Sequence, residues 1–146
     1  MRTYSPKPAD ITRQWYVLDA SQLPLGRLST TVASLLLGKG KTSFSPHMDG
    51  GDFVVVINAS KLKVTGNKLA DKRYYRHSGY PSGLTEQSLS EVLVSNPEKV
   101  IHHAVRGMLP ANKLRPARLA RLKVYPGEEH NHTAQKPVNF ELGKKK

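Results

Sequence analysis

The sequence predicts an α/β fold, and three consecutive segments carry that expectation. Trp15-Tyr16-Val17-Leu18-Asp19-Ala20 is a short run of the aromatic and β-branched residues that strands prefer, and Ser21 to Pro24 breaks it. Leu25, Leu28, Val32, Leu35 and Leu36 then recur at helical spacing until Gly38 and Gly40 stop the helix. Phe53-Val54-Val55-Val56-Ile57 is continuously apolar, the pattern of a parallel strand covered on both faces. Strand, helix and strand in this order form a βαβ unit, whose crossover is expected to be right-handed.

The other elements follow in order. Residues 1–14 carry prolines and polar side chains and read as an extended N-terminal arm. Beyond Ile57, Lys61 to Thr65 and Lys72 to His77 alternate in polarity on either side of Gly66-Asn67. This suggests a basic hairpin with its charge on the exposed face. The Gly/Pro/Ser stretch from Ser78 to Gly83 leads to a helix with Thr85 at its cap. Asn96-Pro97-Glu98 starts another helix with cap, proline and early acid; its apolar face is Val100, Ile101, Ala104, Val105 and Met108, and Pro110 ends it. Leu119 to Tyr125 supplies a last strand. The reading is of one domain over 15–137, with no internal repeat, and a basic C-terminal tail over 138–146 that ends in Lys144-Lys145-Lys146.

Charge is the main pointer to function. The 23 Lys and Arg of the 146 residues stand against 11 Asp and Glu, a formal +12. Such an imbalance makes a folded domain repel itself and is most simply understood if a polyanion neutralises it. Nucleic acid is the first candidate and an anionic membrane surface the second. Seven basic residues and no acid lie between Lys99 and Gly127, and six between Lys61 and Arg76 face only Asp71. Basic stretches separated by acidic ones fit a surface turned to phosphates on one side.

Several classes are excluded. No cysteine is present, so there are no disulfides, thiolate nucleophiles or Cys-rich zinc sites. Pro6, Pro8 and Asp10 stand where a secretory signal would place its apolar stretch. The apolar runs are far shorter than the ~18 residues of a membrane span, so a cytoplasmic protein with no membrane partner is expected.

Gly40-Lys41-Thr42 resembles the end of a phosphate-binding loop, but position 35, where its first glycine belongs, is Leu35. The segment also follows a helix, whereas a phosphate loop precedes one. Lys39 and Lys41 therefore read as phosphate-contacting lysines and not as a nucleotide site. His102 and His103 are neighbours on a helix and cannot share a metal simply. His130 and His132 lack a third ligand at diagnostic spacing, so no metal or other cofactor is expected. Asp49-Gly50-Gly51-Asp52 reads as a turn. No nucleophile elbow occurs and no histidine has a convincing orienting partner, so neither catalysis nor a small-molecule substrate is expected. Arg73-Tyr74-Tyr75-Arg76-His77-Ser78-Gly79-Tyr80 interleaves cations with aromatics. Arginine can bridge phosphates, and Tyr and His can stack on bases, while strand alternation should turn half of the tyrosines inward.

Blocks of the sequence resemble a known family. Trp15-Tyr16-Val17-Leu18-Asp19-Ala20, Leu25-Gly26-Arg27-Leu28, Pro46-His47 through Gly51-Asp52 and Val55-Val56-Ile57-Asn58-Ala59 are followed in order by Val64-Thr65-Gly66-Asn67-Lys68, Tyr75 to Tyr80, Gly107-Met108-Leu109-Pro110, Leu122-Lys123-Val124-Tyr125 and His130 with Ala134-Gln135. Together they resemble the bacterial large-subunit ribosomal protein family numbered thirteen, from about Trp15 to Pro137. The resemblance implies a three-layer α/β/α fold with a small, mostly parallel sheet. It also implies binding to large-subunit ribosomal RNA beside neighbouring large-subunit proteins, a role early in subunit assembly, and no enzymatic activity. By matching position, the family's RNA-facing residues fall on Lys39, Lys41, Lys68, Lys72, Arg76, His77, Lys113, Arg118, Arg121, Lys123, His130 and His132. Arg73 and Arg115, in the same basic clusters, complete the expected RNA-binding set. Gly40 replaces a usual histidine, Ser82 a glycine, Arg115-Pro116 a glycine followed by a basic residue, and Pro126 a small residue. Lys68 to Arg76 and Lys113 to Lys123 are expected to form one RNA surface.

Overall fold

The structure is a computed structural model that describes residues 4–140. Its elements run β1 (Trp15–Asp19), α1 (Leu25–Leu37), β2 (Phe53–Ile57), α2 (Lys68–Asp71), β3 (Arg73–His77), β4 (Leu84–Ser88), α3 (Leu89–Ser95), α4 (Pro97–Met108), α5 (Arg115–Ala120), β5 (Leu122–Val124) and β6 (Val138–Asn139). The βαβ unit forms as its hydrophobic pattern requires. β1 and β2 pair in parallel from Trp15 opposite Phe53 to Asp19 opposite Ile57. β5 joins the free edge of β2 and β6 that of β1, giving the all-parallel order β5-β2-β1-β6.

Alternation divides the strand residues between two faces. Leu18, Val54, Val56, Leu122 and Val124 share the main core with Leu28, Val32 and Leu36 of α1 and Val100, Ile101 and Val105 of α4. Trp15, Val17, Phe53 and Val55 alternate with them; there the Trp15 ring stacks on Phe53 at 4.3 Å and meets His132 at 4.9 Å. The chain between β5 and β6, with a 3-10 turn at Thr133–Gln135, thus lies against the sheet opposite the helices.

The α1 terminus is built as the glycines suggest. Gly38 adopts a left-handed conformation (φ 78°), and its N–H donates to the carbonyls of Ser34 and Leu35. Gly51 is needed for a different reason: a Cβ there would lie 1.8 Å from the Leu36 carbonyl oxygen, so the loop before β2 packs backbone to backbone on the end of α1.

Three expectations change. The hairpin is β3 with β4, antiparallel from Arg73 opposite Ser88 to His77 opposite Leu84, and Ser78–Gly83 is its turn. Lys61 to Thr65 makes only a bridge from Lys63 to Pro24. β4 escapes notice because Leu84, Thr85, Glu86 and Gln87 are all exposed, leaving no apolar alternation to see. The next helix is accordingly capped by Ser88 and not Thr85: Glu91 N–H donates to Ser88 Oγ, and Ser88 N–H donates back to Glu91 Oε2. At the C-terminal side, α5 precedes β5, and Val138–Asn139, placed in the tail by the sequence, is a strand of the sheet. Lys144, Lys145 and Lys146 lie outside the described residues. The Asn96-Pro97-Glu98 start stands as read, with Asn96 Oδ1 accepting from Lys99 N–H.

Candidate nucleic-acid interface

The hairpin and the short helix before it present the clearest cationic surface. Lys68, Arg73, Arg76 and His77 are exposed, and Lys72 is half-buried with its ammonium 5.5 Å from the centre of the Tyr74 ring. Arg73 pairs diagonally across the hairpin with Glu86 at 2.8 Å. Arg76 has no carboxylate partner among the described residues. The tyrosines divide by alternation: Tyr74 turns inward, edge-on to His103 at 5.3 Å, with burial raising its pKa, while Tyr75 is 63% exposed. His77 Nδ1 accepts from the Gly79 N–H, which fixes its ring at the tip of the hairpin. Lys39 and Lys113 are also exposed.

Other expected RNA ligands are spent inside the protein. Lys41 donates to the carbonyls of Thr12 (2.7 Å) and Gly50 (2.9 Å) and to Asp52 Oδ1 (2.6 Å). It pins the N-terminal arm to the loop before β2 in place of offering a free ammonium. Arg115 donates to the Leu109 and Pro110 carbonyls and so closes the end of α4. Arg118 and Arg121 correct the sequence reading most sharply, with side chains only 1% and 7% exposed. Both turn toward Asp49. Arg121 grips its carboxylate with both arms and donates to the Leu36 carbonyl, at the negative end of α1; Arg118 Nε lies 3.5 Å from Asp49 Oδ1. Arg13 reaches the same site, donating to the Asp49 and Gly51 carbonyls. Burial alone would raise the pKa of Asp49, but the hydrogen bonds and charge of Arg121, then the charges of Arg118 and Arg13, outweigh it and hold the carboxyl below its usual range. In the sequence alone Asp49 reads as a turn residue. The signal for the cluster is the spacing of Arg115, Arg118 and Arg121, which puts three guanidiniums along one flank of a helix and calls for a buried acid or carbonyls opposite them.

Lys123, His130 and His132 gather around Tyr125. Lys123 lines a recess with Glu98, His102 and Tyr125. There burial, opposed by Glu98 and assisted by Lys123, lowers the His102 pKa. His130 and His132 are half-buried in an aromatic group, His132 against Trp15 and 5.9 Å from Tyr125, with His132 N–H donating to His130 Nδ1. Among the described residues no cluster of three or more potential metal ligands occurs, and no helix is long and apolar enough to cross a membrane.

α4 separates the two groups of cations. His102 faces Lys123 and His103 faces Lys68 and Lys72, and neighbours on a helix point about 100° apart. Lys123 and the Lys68–Lys72 pair therefore lie on different flanks of one helix.

Residues 13–131 match the sequence profile of the family described as Ribosomal protein L13. The chain belongs to this family. It is 60% identical over 137 residues to the large ribosomal subunit protein uL13 of Nitratidesulfovibrio vulgaris, covering 94% of this chain and 95% of that one. It is 56% identical to the protein of the same name from Micrococcus luteus, over 98% of this chain and 97% of the relative. The Streptomyces avermitilis protein is likewise 56% identical, over 97% of each chain. The matched span holds Arg13, Asp49, Arg118 and Arg121 together, so the buried ion cluster lies wholly within the family's own domain.

Proposed function

We propose that this chain is a structural constituent of the large ribosomal subunit, that it binds large-subunit ribosomal RNA on the ribosome in the cytoplasm, and that it supports early subunit assembly. Near full-length identity to large-subunit proteins carries the reading, and the +12 charge supplies its physical basis. Its partners are the ribosomal RNA and neighbouring large-subunit proteins, and no catalytic step or small-molecule substrate is assigned. The RNA contacts fall first on Lys39, Lys68, Lys72, Arg73, Arg76, His77 and Lys113, whose side chains reach solvent. Lys123, His130 and His132 form the second patch. Arg115, Arg118, Arg121 and Lys41 act mainly by holding the loops that carry the others. The discriminating experiment is sedimentation of cell extract through a high-salt gradient. A subunit constituent stays with the large subunit, whereas a free nucleic-acid-binding regulator is released to the top.

A further inference from the structure

Two helical glycines face one groove with no reason inside the chain to be glycine. Gly26 lies in the first turn of α1 and Gly107 in the last turn of α4; neither has a positive φ, and a Cβ built on either meets no atom within 4 Å. Glycine weakens a helix relative to alanine, so both positions forgo stability that packing does not require them to forgo. Both line the same groove of about 470 Å³, together with Lys68, Lys72, His103 and Met108. Its floor is apolar, formed by residues such as Leu25 and Leu89, while Met108 remains 42% exposed.

The groove is also electropositive by construction. Lys68 and Lys72 stand on one wall. The start of α1 opens onto it with Pro24 in the cap position and no side-chain cap. The Leu25 N–H is used by the Lys63 carbonyl, but no acceptor among the described residues meets the N–H groups of Gly26 or Arg27. Backbone donors at the positive end of a thirteen-residue helix, beside two ammonium groups and at a point with no side chain in the way, suit a phosphate in close approach.

We propose that this groove is a seat for a stretch of RNA sugar–phosphate backbone, with a phosphate on the Gly26 and Arg27 amides and on Lys68 and Lys72, and the sugar against Gly107 and Met108. The proposal rests on the RNA-binding reading above and adds a site to it. Gly26 and Gly107 are specificity-determining through what they lack: a methyl group on either fills space that the backbone occupies.

The test pairs Gly26→Ala with Gly107→Ala, singly and together, in the full chain, measured for binding to large-subunit ribosomal RNA and for thermal unfolding. The thermal midpoint should hold or rise, since alanine favours both helices, while RNA affinity falls about tenfold or more in the double variant, the usual scale for overpacking a filled site. Unchanged affinity with wild-type binding intact overturns the groove and leaves the functional reading standing; a wild-type chain that does not bind this RNA overturns both. A benzophenone placed at position 108 in assembled large subunits gives a second readout. Cross-links to RNA support the seat, and cross-links to a protein instead show a protein segment in the groove and overturn it.

Discussion

Changing Asp49 to Asn tests the buried ion cluster at its centre. The substitution keeps the shape of the side chain and removes the one charge that faces Arg13, Arg118 and Arg121. Removing one partner of a buried pair costs about 3–5 kcal/mol, because the remaining charge is left uncompensated. Asn retains a carbonyl that still accepts from one arm of Arg121, and a charge-assisted hydrogen bond of this kind is worth about 1.5–3 kcal/mol. The expected loss is therefore near the low end, about 3 kcal/mol at pH 7. Urea unfolding followed by the fluorescence of the single tryptophan, Trp15 on Phe53, measures it directly. The pH dependence is the sharper check. The folded-state pKa of Asp49 is lowered, so its contribution is fully present above the unfolded value of about 3.9 and disappears as the pH falls through the lower folded value. The gap between wild type and Asp49→Asn should stay constant from neutral pH to about pH 5 and close only in more acid solution. A gap below about 1 kcal/mol at neutral pH, or one that persists through the acid limb, would refute the assignment of Asp49 as the hub.

Three further outcomes are expected. Lys41→Ala should lower stability by about 2 kcal/mol, because three acceptors lose a charged donor, and RNA affinity should fall only modestly. Saturable ATP binding lost in that variant would instead restore the phosphate-loop reading. Ser82→Gly should stabilise the hairpin turn by up to about 1 kcal/mol in a thermal melt, since Ser82 holds φ 60° where glycine is free of strain; a lower midpoint would count against the turn. RNA affinity should fall steeply with salt: if six phosphates are neutralised, a log–log slope of about −4 is expected from roughly −0.7 per single-strand contact, and a slope shallower than about −2 would remove the basic patches from the interface.

How far the sequence speaks depends on what each signal measures. The βαβ unit was legible because hydrophobic spacing reports burial, and Leu28, Val32, Leu36 and Val54 to Val56 are buried as their pattern demands. The Asn96 cap was legible because capping is local chemistry. β4 was not, since an exposed polar strand leaves no trace of period two, and the alternation of Lys61 to Thr65 points β3 to the wrong partner. β6 was hidden similarly: two exposed residues join the sheet, held beside β1 by Phe140, whose N–H donates to the Val17 carbonyl and whose ring meets Tyr16 edge-on.

The site was legible as a class of chemistry and blurred as a set of residues, for one physical reason. Lysine and arginine give the same sequence signal whether they meet a phosphate or a carboxylate, and only the fold supplies the acid. Arg118 and Arg121 belong to a 29-residue stretch without an acid, Lys99 to Gly127, yet their counter-charge, Asp49, is 72 residues from Arg121 and arrives through the loop that Gly51 lets settle onto α1. The exposed charge that faces a partner is thus smaller than the formal count, and it includes Lys68, Lys72 and Arg76, with Lys39 and Lys113. Because His102 and His103 divide the flanks of α4 between the two patches, one rigid RNA helix laid on either flank leaves the other free. An RNA that engages both must bend around α4 or come from two segments, and charge removal in the two patches should then be additive for isolated RNA fragments and non-additive only in the assembled subunit, where one folded RNA joins them.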